Sequence, residues 1–491
     1  GAQVLADMGD VTPCVTIDHY QIVHPEQALT CSSAEVTIRA CADAACASLA
    51  SVPSTVTLSP SGWDNGDTVT FSGSTTVQLR NSTPGLVNIG LASANPAASV
   101  VCNPDCSIEY VDAGLEFFDV TNPTGTQLPI VTAEQDLGTI GIRAIRDNNG
   151  ACSALLTGSQ TIDLSFDCIS EPDAPYSSNV CQVPFAGIGI SGNGQGTQSG
   201  SVTLNFNNAG EATLANQQYA DAGRLALSAS ATLQGVNFGS GVAKLNSVPA
   251  SLQIADAAND PQVAGAGFEL SIEALGQNGS LLPGYQPGQL QMAVQRVQPN
   301  GAGNDAGLVY GAGSMLNSQS GLVFESITAS FNNGRYQYAD AYYEEVGNIR
   351  LAVRDLDYLS SSVTSSTLDL GRFIPAYFDV STLNQGTLAD TCSASFTYVG
   401  QEFGYEVGQE PSVQLTAFNA LGDITANYTD ALWRLSPTTA DLSYADSSGY
   451  SGSASVNNIG SLSLTGNDVY DGRGTIDVLS SAFVYDKTAT A

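Results

Sequence analysis

The side chains of this 491-residue chain that could do chemistry are two histidines, ten cysteines and 47 carboxylates. Nucleophilic catalysis needs an imidazole beside a Ser or Cys. His19 and His24 stand five apart in one strand-like stretch, so they project to opposite faces and are expected at a surface or strand edge. No Gly-x-Ser-x-Gly elbow, His-Glu-x-x-His motif or phosphate loop occurs. Gly192-Asn-Gly194-Gln-Gly196 precedes a strand rather than a helix, so it lacks the helix end that would hold a phosphate and is expected to be a loop. Glycoside hydrolysis needs two carboxyls facing across a cleft, and nothing in the text sets a pair that way. The expectation is therefore no enzyme and no cofactor. Hard oxygen ligands make calcium the one cation to consider, with Asp355, Asp357, Asp468 and Asp471 as candidates outside any EF-hand spacing. Tyr336, Tyr338 and Tyr342 could stack on sugar faces, although alternation along a strand equally suits core packing.

Nine of the ten cysteines fall within the first 181 residues. Cys41 and Cys46, and Cys102 and Cys106, are close enough to close local disulfide loops. They could also supply four zinc thiolates, but the acidic, secreted composition favours disulfides. Cys152, Cys168 and Cys181 form a threesome, so one of them must pair with Cys14, Cys31 or Cys392.

The elements that carry these residues read as strands. Charged residues are only 12% of the chain, and the 14 basic against 47 acidic side chains leave a net charge of −33. Such a field repels phosphate backbones and anionic lipid, which excludes nucleic acid as a partner. No apolar run is long enough to insert in a membrane. The opening Gly1, with no signal-like segment after it, reads as a mature or cut fragment.

Two marks repeat. The first is apolar-x-apolar-x-Ala, at Val36–Ala40, Ile140–Ala144, Leu270–Ala274 and Val413–Ala417. Its small Ala belongs on the face where two sheets approach. The second is Gly with apolar residues at +2 and +4, at Gly85, Gly223, Gly347 and Gly474. Tyr219, Tyr343 and Tyr470 stand four residues before the last three, as in the corner leading into strand F of immunoglobulin-like sandwiches, whereas Asn81 takes that place in the first. The fold predicted is all-β, an elongated tandem array of about four immunoglobulin-like β-sandwich domains. Their expected ranges are 1–113, 114–233, 234–390 and 391–491, the middle two with insertions or extra strands.

Four phrases carry a family likeness: Cys41-Ala-Asp-Ala-Ala-Cys46, Gly371-Arg-Phe-Ile-Pro-Ala-Tyr-Phe-Asp-Val380, Phe396-Thr-Tyr-Val-Gly-Gln-Glu-Phe-Gly-Tyr405 and Thr416-Ala-Phe-Asn-Ala-Leu-Gly-Asp-Ile-Thr-Ala-Asn-Tyr428. From about Cys14 onward the chain resembles the C-terminal region of the MSHA pilus biogenesis protein Q family. MSHA is the mannose-sensitive haemagglutinin, a type IV pilus of marine gammaproteobacteria. The resemblance implies an extracellular, pilus-associated protein with no catalytic motif. Its expected partners are pilins or minor pilins and a surface glycan or protein. An adhesin or stalk is the role expected, with an assembly factor or a stand-alone glycan-binding module as alternatives.

Overall fold

The computed structural model describes residues 17–486, apart from 171–184, 186–197, 437–442, 445–453, 392–395 and short gaps at 124, 126, 149–150, 155, 234–235, 241, 312, 430–431, 459 and 468. Every named element among the described residues is a β-strand. The strands group into four units, each enclosing a core: the first in sheets of four, three and three strands, the second in one ten-stranded sheet, the third in sheets of five and six, and the fourth in sheets of four and three. The first core is built on Tyr20, Val36, Ile38, Trp63 and Ile108, and the second on Ile142, Leu164, Phe166 and Leu225. The third packs Leu270, Ile272, Met292, Tyr343 and Leu351. A smaller cluster of Ala264, Val346, Ala417, Tyr428 and Leu432 bridges into the fourth.

The Ala-terminated mark has a structural cause. Ala40, Ala144, Ala274 and Ala417 are each 0% exposed, because only a methyl fits where the strand turns away between the sheets. Each donates its backbone N–H to the carbonyl of a distant glycine: Gly73 at 2.8 Å, and Gly210, Gly334 and Gly472 at 2.9 Å. All four glycines have positive φ, between 68° and 77°, a region that costs glycine little. From each glycine the chain runs straight into Ser74–Arg80, Glu211–Gln218, Arg335–Tyr343 or Arg473–Leu479. That strand then pairs antiparallel with the Ala-bearing one. The Ala–Gly bond therefore sets the register of one sheet in every unit.

The Gly-led mark holds in three units and fails in the fourth. Gly223–Leu233 pairs with Gly158–Ile169 and Ala243–Val248, and Gly347–Tyr358 pairs with Leu290–Gln298 and Leu368–Ile374. Gly347–Tyr358 lies in the sheet opposite its Ala strand, as a strand F should, whereas Gly223–Leu233 shares one ten-stranded sheet with its own Ala strand, Asp136–Asn148, without pairing to it directly. In the first unit Gly85–Asn88 likewise pairs with Ser107–Val111, away from the Ala strand. Gly474, however, sits in Arg473–Leu479 and faces Leu415 directly. It belongs to the strand beside the Ala strand, because a Gly followed by alternating apolar residues suits either strand. In the first three units a short early strand closes the second sheet by pairing parallel with the last one: Gln27–Leu29 with Ser107–Val111, Val131–Thr132 with Ala243–Val248, and Gln262–Val263 with Leu368–Ile374.

These closing strands place the junctions. The expected division at 233 falls inside a sheet, since Val236–Gly239 and Ala243–Val248 both pair with Gly223–Leu233. The expected division at 390 falls after Tyr377–Asn384, which already pairs with Ser412–Phe418 of the fourth unit. Only Asp112, Pro249-Ala250 and Pro375-Ala376 separate the last strand of one unit from the first of the next.

Candidate functional site

The residues singled out for chemistry are scattered and mostly structural. Both histidines are buried rather than at a surface. His19 Nδ1 lies 2.9 Å from an Asp18 carboxylate oxygen, while His24 bridges the carbonyls of Pro25 and Asp105. His19, Cys41 and Cys46 are the one set of possible metal ligands that converges among the described residues. Cys41 and Cys46 are bonded to each other, which removes their thiolates from any metal role. Cys102 pairs with Cys106 at a Cα separation of 5.2 Å, and Cys31 pairs with Cys152 at the same separation. Cys14, Cys181, Cys392 and the 192–196 glycine loop lie outside the described residues.

Asp355, taken as a calcium candidate, is fully buried. Its carboxylate accepts the Tyr285 hydroxyl at 2.8 Å and the N–H groups of Gly288 and Gln289 at 2.8 and 2.7 Å. The lone pairs a cation would need are taken by protein donors, so Asp355 ties a loop to the core instead. Asp357 accepts the Ser360 N–H at 3.2 Å, and Asp471 accepts Asn467 and the Arg473 N–H. Asp468 lies outside the described residues. The three tyrosines do not form a platform. Tyr338 is in the third core, where its ring meets Tyr336 and Tyr310 edge-on at 4.5 and 5.2 Å. Tyr342 is on the opposite face, because the register shifts between Tyr338 and Ala341. Burial pushes the Tyr338 hydroxyl well above its usual range.

What the fold does bring together is the joints. In the third and fourth units the Ala strand ends in a turn closed by a bridge, Leu275 to Leu281 and Phe418 to Ile424. Each turn inserts into the far end of the preceding unit. Gln277 N–H donates to the Ala133 carbonyl at 3.0 Å, and Ala420 N–H donates to the Ala264 carbonyl at 2.8 Å. Beside these bonds stands an acid two residues before the strand-F glycine. Asp221, fully buried, accepts its neighbour Ala222 N–H and, across the joint, Gly284 N–H, both at 2.8 Å. Glu345 accepts Val346 N–H at 2.8 Å and lies beside the backbone of Ala426 and Asn427 of the fourth unit. Both joints thus set a buried carboxylate beside a backbone bond from the incoming turn, and at the second that carboxylate accepts N–H groups from both units.

Further bonds widen each joint. At the second, Glu134 accepts Asn278 N–H at 2.7 Å. At the third, Asn427 and Asn304 exchange two bonds of 2.7 and 2.9 Å, and Asn419 donates to the Glu344 carbonyl at 3.0 Å. The family-like phrase Gly371–Val380 runs through this joint. Phe373 closes the third core, Tyr377 stacks on Phe418 at 5.3 Å, and Phe378 packs on Tyr428. A groove of about 350 Å³ lies there, lined by Pro261, Phe373, Phe378, Tyr428, Arg372 and Arg434 among others.

The first joint replaces the acid with a covalent bond. Cys31 follows the closing strand of the first unit, and Cys152 lies in the hairpin after the Ala strand of the second, so their disulfide crosses the boundary. Leu29, Ile145 and Val111 pack around it. Thr30 Oγ1 donates to Asp112 at 3.1 Å. Burial raises the Glu35 carboxyl, against a smaller opposing pull from Lys244 and Arg224 of the second unit. Sequence reasoning missed these joints. Their one textual signal is an acid before a small residue and glycine, as in Asp221-Ala-Gly223 and Glu345-Val-Gly347.

With this geometry in hand, the chain is an array of immunoglobulin-like sandwiches. Comparison with known families agrees. Residues 95–244 match a domain of unknown function (DUF6701), first Ig-like domain. Residues 345–491 match DUF6701, third domain, and residues 17–97 match a domain of unknown function (DUF8613). No curated protein matches the sequence. Among solved structures, Escherichia coli alpha-2-macroglobulin activated by porcine elastase aligns over 95% of this chain at 10% identity and a TM-score of 0.19. The chain spans 41% of that protein's length. A putative membrane anchored protein from Corynebacterium diphtheriae aligns over 89% of this chain and 88% of its own, at 10% identity and a TM-score of 0.16. Domains 4–9 of the surface layer protein SbsC align over 77% and 48%, at 11% identity and a TM-score of 0.16.

Proposed function

We propose that this chain is a non-enzymatic, cell-surface stalk that holds an adhesive surface away from the cell, and that it works on an MSHA-type type IV pilus. The observation that carries the mechanical part is the set of three interlocked joints, with linkers of one or two residues, a disulfide across the first boundary and bonds from backbone to backbone across the second and third. A flexible tether would need longer, polar linkers. The disulfides, three of which join described residues at Cys31–Cys152, Cys41–Cys46 and Cys102–Cys106, suit an oxidising, extracellular setting. The pilus assignment rests on the family-like phrases, of which Gly371–Val380 forms the third joint. Pilins or minor pilins are the partners proposed at one end, and a surface glycan or protein at the other.

The test is a deletion strain in which surface pili are counted and attachment is scored. Normal pili with lost attachment is the expected result. Absent pili would replace this reading with that of an assembly factor. Normal pili with normal attachment would overturn it.

A further inference from the structure

The acid at the third joint is placed unlike an ordinary surface glutamate. Glu345 is 4% exposed and sits between the strand-F corner of the third unit and the 425–428 turn of the fourth. Its carboxyl accepts the Val346 N–H at 2.8 Å and lies beside the backbone N–H groups of Ala426 and Asn427. No cation lies within ion-pairing distance of it among the described residues. The charged groups around it are occupied or repulsive. Arg296 is held by Asp305 at 3.1 Å and by the Pro299 carbonyl at 2.8 Å. Glu344, next in the chain, turns its carboxylate to the Gly307 N–H at 3.2 Å. The Tyr343 hydroxyl accepts from Asn317 at 2.6 Å. The elements facing it from the fourth unit offer Thr425, Ala426 and Asn427, none of which carries a charge, and Tyr428, which is neutral at physiological pH. Ala264 and Gly265, on the neighbouring strand end, are likewise uncharged.

We infer that the third joint is proton-linked: it is closed while Glu345 carries a proton, and it loosens when that proton leaves. An unpaired carboxylate taken out of water favours its neutral form, and the backbone N–H groups beside it offset that only in part. Burial accordingly pushes the Glu345 carboxyl up to about 7, from 4.5. The sign follows from linkage. A carboxyl raised in the closed state binds its proton more tightly there than when exposed. The closed joint is therefore fully favoured below the exposed value. It weakens as pH climbs from there through the closed-state value. Across that interval the opening equilibrium should rise on the order of 10²-fold.

The test is backbone hydrogen exchange on the intact, oxidised chain from pH 5 to 8.5, corrected for intrinsic exchange rates. The Ala426 and Asn427 amides report the joint. The Ala274 and Val478 amides, which donate to the carbonyls of Gly334 within the third unit and Pro411 within the fourth, report any general unfolding. Protection at 426–427 should fall by at least tenfold as pH rises to about 7 and level off above it, while protection at 274 and 478 holds. Glu345→Gln should keep the joint protected at every pH. A flat profile at 426–427 in the wild-type chain would overturn the inference, and so would an unchanged pH dependence in Glu345→Gln. If the variant does not fold, the wild-type profile decides alone.

Discussion

Asp355 lies with the Tyr285 hydroxyl and the Gly288 and Gln289 N–H groups around its carboxylate. Truncation to alanine would strand the buried Tyr285 hydroxyl and release two part-buried N–H groups, so Asp355→Ala should cost the third unit roughly 2 kcal/mol. The loss should be the same in calcium and in chelator, as read by urea unfolding. A deficit that calcium restores would reinstate the cation reading. Gly347 has φ of 113°, and a Cβ there would overlap the Gln298 carbonyl, so Gly347→Ala should destabilise the same unit by about 2 kcal/mol. Asp43 behaves in the opposite way to Glu345. Bonds from the Ser48 hydroxyl and N–H, and from the N–H groups of Ala47 and Ala45, lower its carboxyl to about 2. The turn is thus supported at all pH above the ordinary carboxylate range, and that support is lost as pH falls toward 2. A carboxyl-carbon titration by NMR with a midpoint near 4 would contradict it. Neither Asp43, between Ala42 and Ala44, nor Asp355, between Arg354 and Leu356, carries a local mark of its role. What separates them is contact with residues 66 to 70 positions away in one case and a self-contained turn in the other, and no local pattern encodes the first.

The strands were legible where a side-chain requirement repeats at short range. The Ala of each first mark has no room for a larger side chain, so its type survives in all four units. The Gly-led mark was less specific, because it asks only for a turn followed by an alternating strand, and Gly474 satisfies that in the strand next to the Ala strand. The domain divisions at 233 and 390 slipped because the closing strands pair with segments far off in sequence. The joints were not legible, since each unites two loops more than 60 residues apart. Their disulfide gives an element-scale expectation. Cys31 and Cys152 are 121 positions apart, and constraining such a loop stabilises by roughly 4–5 kcal/mol in the chain-entropy model. The two tryptophans separate the units. Trp63 is in the first core and Trp433 packs on Gly466 and Gly474 in the fourth. In the Cys31→Ser, Cys152→Ser double variant, the Trp63 transition in denaturant should move to lower midpoint while the Trp433 transition stays. Equal movement of both would mean that the four units unfold as one.

At the scale of the whole molecule, the joints decide shape. In each, the far end of one sandwich receives the near end of the next, so the units follow one another rather than fold back. The longest strand among the described residues, Asp136–Asn148, has 13 residues, which sets about 40 Å per unit at the usual rise of a strand. Four units in line would reach about 160 Å and have a radius of gyration above ~40 Å, against ~23 Å for a compact globule of this length. The net charge of −33 acts in the same direction, since like charges spread along a rod repel less than on a sphere. Small-angle scattering at 0.15 M salt, where screening is felt beyond about 8 Å, should therefore still show the extended form, because contacts rather than repulsion hold it. A radius near 23 Å would sink the stalk. An extended form that collapses on adding salt would mean that charge, not the interlocked turns, keeps the units apart. Persistence of the extended form in high salt would leave the joints as the cause.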